Sequence, residues 1–127
     1  MAHATLVGLD VDAGRIFLKA LDEAGLKIDV ALWAVLVDYD DPRLVLAGKQ
    51  LDQVDPMKAI QAVNSAYRTS GKALLFKPTY VIYRMKEPFI QDLRRTFGKT
   101  ASVDGVRLSG QFFGGRYLED AYVYRIK

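Results

Sequence analysis

Glu119 and Asp120, with Asp104 upstream, are the carboxylates best placed for chemistry in this 127-residue chain. A small hydrolase could use such a pair with a basic group, as general acid and base or as metal ligands. Neighbours on a strand point to opposite faces, however, so Glu119 and Asp120 cannot converge on one metal without a bulge. The sequence offers little else of this kind. It has no cysteine and a single histidine, His3. That rules out thiol nucleophiles, disulfides and zinc knuckles, and argues against a histidine-centred or multi-histidine metal site. Asp38, Asp40 and Asp41 cluster around a turn, without the glycine and distal glutamate of a calcium loop. Gly110 to Gly115 is glycine-rich but reads as a strand and turn, not as the strand-to-helix opening that cradles phosphate. No catalytic residue, metal or cofactor is therefore assigned, and a non-enzymatic binding or accessory domain is expected ahead of an enzyme.

Charge and aromatic content are the second source of chemistry. Residues 1–63 hold 6 Lys/Arg against 10 Asp/Glu, while residues 64–127 hold 12 against 5 and carry 11 of the 14 aromatic residues. A basic, aromatic half points to an anionic partner, a nucleic acid or an acidic protein, unless the two halves interleave and neutralise each other in the fold. Arg94, Arg95, Lys99, Arg107 and Arg116 are the candidates for phosphate contact, with Phe113 and Tyr122 as stacking platforms. No RNP1 sequence accompanies them. Tyrosine and arginine also enrich interface cores, so a homodimer formed through the C-terminal hairpin is the alternative.

These groups must be positioned by local elements. Asp10 or Asp12 can cap a first helix whose inner face is Phe17, Leu21 and Ala24, with Gly25 ending it. Ile28 to Asp38 is apolar on both faces, as a central strand must be, and contains Trp33. Tyr39 to Pro42 turns the chain into a second strand, Arg43 to Gly48. Asp55-Pro56 opens a second helix, with Met57, Ile60, Val63 and Tyr67 as its expected buried stripe, widened by Ala59, Ala62 and Ala66. Pro78 interrupts Ala73 to Met85, leaving Thr79 to Arg84 as the next strand and Leu74 to Phe76 over the core or at an edge. Glu87-Pro88 begins a third helix, in which Phe89, Ile90, Leu93 and Phe97 face inward.

The last two strands, Val106 to Ile126, fold about Gly114-Gly115, because adjacent glycines can both adopt the positive φ of a type I′ turn. That turn pairs Phe113 with Arg116, Phe112 with Tyr117 and Arg107 with Tyr122. Strict alternation then puts Leu108, Phe112, Tyr117 and Ala121 in the core. Arg107, Phe113, Arg116, Leu118 and Tyr122 fall on the opposite, binding face.

The order α-β-β-α-β-α-β-β implies an α+β domain with a mixed five-stranded sheet and about three packed helices, one domain over residues 1–127 with residues 1–9 mobile. No apolar run reaches the ~20 residues of a membrane-spanning helix, and the start lacks the pattern of a secretory signal. A soluble, cytoplasmic protein without membrane partners is expected. Ala31-Leu32-Trp33, Arg43-Leu44-Val45 and the ending Leu118 to Arg125 resemble a group of small uncharacterised bacterial α+β proteins. The resemblance implies a compact domain and no activity, cofactor or site.

Overall fold

Seven consecutive residues, Val30–Leu36 (β1), are buried on both sides of the sheet, and the other elements pack around them. The computed structural model describes residues 8–39, 41–71, 77–100 and 102–127. Helix α1 (Gly8–Glu23) precedes β1, and β2 (Arg43–Ala47) follows it. A one-turn helix α2 (Lys49–Asp52) and a longer α3 (Pro56–Thr69) then lead to β3 (Tyr80–Ile82). Helix α4 (Pro88–Phe97) and the hairpin β4 (Arg107–Phe113) and β5 (Arg116–Ile126) complete the chain. The sheet order is β3-β2-β1-β5-β4. β2 and β3 are parallel and the other neighbours antiparallel. This is the expected α+β fold with a mixed five-stranded sheet. The crossover that a parallel pair requires is supplied by α2 and α3.

Because β1 and β2 are apolar on both faces, the sheet has a core on each side. On one face Leu32, Leu36 and Val45 pack under Phe89, Ile90 and Leu93 of α4. On the other, Trp33, Val35 and Leu46 pack under Phe17 and Leu21 of α1 and Ala59 and Val63 of α3. Asp55 caps α3 by accepting the Lys58 N–H at 2.9 Å, with Pro56 next to it.

Several expectations change. α1 starts at Gly8, ahead of both proposed caps, and takes in the end of the stretch expected to be mobile; residues 1–7, with His3, lie outside the described residues. So do Asp40 of the acidic cluster and Leu74 to Phe76. Ala24, expected on the inner face of α1, lies exposed just past its end, and Ala13 and Leu18 are buried instead. The buried stripe of α3 is Ala59, Val63 and Ala66, which leaves Met57 63% and Ile60 41% exposed. Small alanines let α3 approach the sheet closely, and the larger side chains turn outward.

The hairpin keeps its expected register, and Leu108 and Ala121 lie in the core as expected, but the faces exchange between Gly110 and the turn. Arg107 pairs with Tyr122, Phe112 with Tyr117 and Phe113 with Arg116. Gly114 and Gly115 have φ of 56° and 83°, as a type I′ turn requires. Yet Leu118 and Phe113 are buried beneath α4, whereas Phe112 is 68% exposed. Two irregularities explain this. Gly110 adopts φ 64° inside β4, a conformation open to glycine that breaks the side-chain alternation. β5 shifts register against β1 between Val35 and Leu36, passing over Glu119. Both strands thus change phase at the same level.

Candidate binding site

The basic and aromatic residues singled out from the sequence are divided between the two faces of the sheet. Arg94 and Arg95 belong to α4, over one core. Tyr122 packs with the other, against α1. Phe113 is only 6% exposed, wedged between Phe89 and Phe97 at centroid distances of 6.5 and 6.2 Å. It offers no face to a ligand, which corrects its assignment as a stacking residue. The Tyr122 hydroxyl accepts from Arg15 at 3.1 Å and its ring lies 5.3 Å from that of Tyr124.

Most of the cations already have partners. Arg107 meets Asp120 at 2.9 Å, Arg95 meets Asp92 at 3.1 Å, and the Arg94 Nε donates to the Lys127 carbonyl at 2.7 Å. Arg116 bridges Asp38 at 2.6 Å and Glu87 at 3.3 Å, with its guanidinium 5.2 Å from the Tyr83 ring centre. Burial opposes the charge on Arg116, but Tyr83, Glu87 and Asp38 together hold its pKa above the usual value. Lys99 lies exposed just past α4. Among the described residues, three ion pairs join the acidic half of the sequence to the basic half: Arg15–Asp104, Arg116–Asp38 and Arg125–Asp22. The bonds to Asp104 and Asp22 raise the pKa values of Arg15 and Arg125. The two halves therefore interleave, and the charge imbalance along the chain is partly cancelled in space. Asp38, in the turn cluster after β1, keeps a 61% exposed side chain and joins this network.

The exposed aromatic surface of the hairpin is instead Phe112 and Tyr117, with ring centroids 4.9 Å apart. Tyr117 lies over Gly110, where a Cβ would stand 3.6 Å from its hydroxyl. These rings and the 65% exposed Val37 border a shallow hollow of about 460 Å³ whose carboxylates, Asp38 and Glu87, are both bound to Arg116.

A second hollow, of about 350 Å³, separates β3 from α2 and α3. Its wall is formed by Leu51, Val54, Pro56, Ile60, Tyr80 and Ile82. Hydrogen bonds fix both ends. At one, Arg84 donates to the Asp52 carbonyl at 2.7 Å and the Met85 N–H donates to the Asp52 carboxylate at 3.1 Å. At the other, the Tyr80 hydroxyl donates to Asn64 Oδ1 at 2.7 Å, and burial raises the Tyr80 pKa. Lys77 reaches the same amide oxygen at 3.1 Å and lies over the rings of Tyr67 and Tyr80. The groove is thus framed by hydrogen bonds at both ends and walled mostly by apolar side chains. The apolar exposure of Met57 and Ile60 continues it onto α3.

Sequence reasoning missed this groove, because Met57 and Ile60 have the spacing of a buried stripe. The signal available was the competing run of Ala59, Ala62, Val63 and Ala66 on the same helix. Among the described residues no three histidine, aspartate or glutamate side chains converge as metal ligands. Among them, too, no helix is long and apolar enough to cross a membrane. No protein-family model, curated protein or solved structure matches the chain.

Proposed function

We propose that this chain is a non-catalytic binding domain that holds a partner polypeptide in the groove between β3 and α3. The observation that carries the reading is the apolar wall of that groove, open to solvent beside the terminal strand of the sheet. Concave apolar surfaces framed by a few fixed polar groups are where proteins take up ligands, and continuous exposed apolar area marks docking sites. A peptide library displayed on phage and selected against the whole protein tests it. Selected peptides should lose binding to Ile60→Glu and keep it with Phe112→Glu. Selection of nothing, or of peptides indifferent to Ile60→Glu, overturns the reading. A cytoplasmic setting suits a chain without cysteine.

A second reading is self-association through the hairpin, supported by the exposed Phe112 beside Tyr117 and Val37. It gives a dimer mass by light scattering that Phe112→Glu abolishes. Nucleic-acid contact through Arg94, Arg95, Lys99 and Arg107 has less support, since Arg95 and Arg107 each have a carboxylate partner. Fluorescence anisotropy with single-stranded oligonucleotides at low salt tests it, and a steep loss of binding with added salt is its signature.

A further inference from the structure

The groove also defines the shape and charge of what fills it. In the parallel β2–β3 pair, the Leu44 N–H donates to the Thr79 carbonyl and the Tyr83 N–H donates to the Leu46 carbonyl. The odd-numbered residues of this stretch thus turn their backbone groups toward β2. Alternation along the strand aims the N–H and C=O of Tyr80 and Ile82 outward, at an edge where no described strand lies. The side chains of the same two residues form part of the groove wall. An occupant that satisfies both features is extended, pairing its backbone with Tyr80 and Ile82 while every second side chain enters the groove.

Cations stand at both ends of this strand. Lys77 precedes it, and Arg84 and Lys86 follow it. None of the three makes an ion pair within the described residues. Lys77 bonds only a neutral amide and Arg84 a carbonyl oxygen. The carboxylates nearby, Asp52 and Asp55, accept from the backbone N–H groups of Met85 and Lys58 and keep their charge. Lys77, Arg84 and Lys86 outnumber them, so the balance of charge around the groove is positive. A second copy of this chain is a poor match. Antiparallel pairing centred on Val81 would set Lys77 between Arg84 and Lys86 of the copy, and like charges facing each other across strands are destabilising. Pro78 and Lys77 are also the residue types that guard an edge strand against its own kind.

We infer that the groove accepts an extended apolar segment of a partner protein that carries acidic residues on both sides of its apolar core. This rests on the reading of the groove as a binding site and specifies its ligand. The apolar core supplies affinity, the edge backbone fixes the conformation, and the flanking carboxylates select the partner.

The test uses the intact protein and two short synthetic peptides with the same alternating valine–threonine core, one flanked by aspartates and the other by lysines. Binding is followed by amide chemical shifts. The aspartate peptide should bind about tenfold more tightly, as a few exposed ion pairs allow, and its affinity should fall with salt. The amides of Tyr80 and Ile82 should shift and become protected from exchange. Lys86→Glu, which alters an exposed side chain outside the groove's hydrogen bonds, should weaken the preference for the aspartate peptide. If both peptides bind equally and Ile60→Glu abolishes both, the acidic ligand is overturned while the groove remains a binding site. If the aspartate peptide leaves Tyr80 and Ile82 unmoved and a library-selected peptide fills the groove, the extended ligand is overturned alone. If no peptide, designed or selected, responds to Ile60→Glu, both readings fail.

Discussion

Gly14 of α1 lies so close to Trp33 of β1 that a Cβ on the glycine would collide with the indole Nε1 and with the Tyr124 hydroxyl. Both polar groups are in use. The indole N–H donates to the Asp10 carbonyl at 2.8 Å and the Tyr124 hydroxyl to the Val11 carbonyl at 2.6 Å. Two core side chains thus fasten the start of α1 to the sheet, and glycine is the residue that lets the helix come near enough. Its presence inside a helix costs about 0.5–1 kcal/mol relative to alanine, which the contact offsets.

Gly14→Ala should therefore lower stability by about 1–3 kcal/mol, the usual cost of overpacking a filled site, measured by chemical denaturation. Gly8→Ala provides the control, with nothing within 4 Å of the added carbon. It should leave the midpoint unchanged or slightly raised. Equal behaviour of the two variants would mean that α1 is not seated on Trp33.

Alkali should weaken the fold through the buried phenols. Burial raises Tyr80, Tyr83 and Tyr124 above their usual value of 10. For Tyr124 the protonated form is also the donor to α1. The unfolded chain loses its phenolic protons near pH 10 and the folded chain later, so the unfolded state holds fewer protons in that interval. Stability from these groups is full below pH 10 and declines as pH rises through the folded values. Phenolate absorbance during a pH titration should show a late fraction appearing only as the far-ultraviolet circular dichroism is lost. Tyr124→Phe should lower stability at neutral pH and reduce that decline. Titration of every tyrosine near pH 10 with the fold intact would refute the buried donor.

The hairpin makes two further distinctions measurable. Gly114 has φ 56°, and a Cβ there would strike the backbone of Pro88 and Phe89 at the start of α4. Gly115 has φ 83° with open space around it. Gly114→Ala should thus be strongly destabilising, whereas Gly115→Asn should be tolerated, since asparagine accepts this conformation. Likewise Phe113→Ala should cost about 3–5 kcal/mol, as for other buried aromatics. The exposed Phe112→Ala should stay within about 0.5 kcal/mol. The reverse ranking would restore strict alternation along β4.

The difference between sequence and structure at these positions has a physical origin. The order of elements, the central β1 and the Gly114-Gly115 turn were legible because each depends on local chemistry: an apolar run, a capping aspartate, paired glycines. The hairpin register followed from the turn alone. The faces did not, because alternation holds only for an unbroken strand, and Gly110 with the irregularity at Glu119 inverts it. A glycine inside a strand is itself a bulge signal, so the inversion was partly readable. The ion pairs were not. Arg116 finds Asp38 and Glu87 only when the hairpin tip closes on the β1–β2 turn and the start of α4. A count of charge along the chain cannot register that neutralisation.

Helix α3 offers the sharpest separation of binding surface from core. Val63 is fully buried, whereas Met57 and Ile60 are 63% and 41% exposed, although all three share the spacing of one apolar stripe. Val63→Ala should cost about 2 kcal/mol for the buried carbons it removes. Met57→Glu and Ile60→Glu should each leave the isolated domain within about 0.5 kcal/mol of the parent, while reducing the fluorescence of a solvatochromic apolar dye that occupies the groove. Sequence periodicity alone assigns all three positions the same role and demands similar losses. Ile60 destabilised as much as Val63 would place α3 rotated inward and close the groove. Ile60→Glu that folds normally and no longer takes up the dye would locate that apolar surface where a partner can reach it.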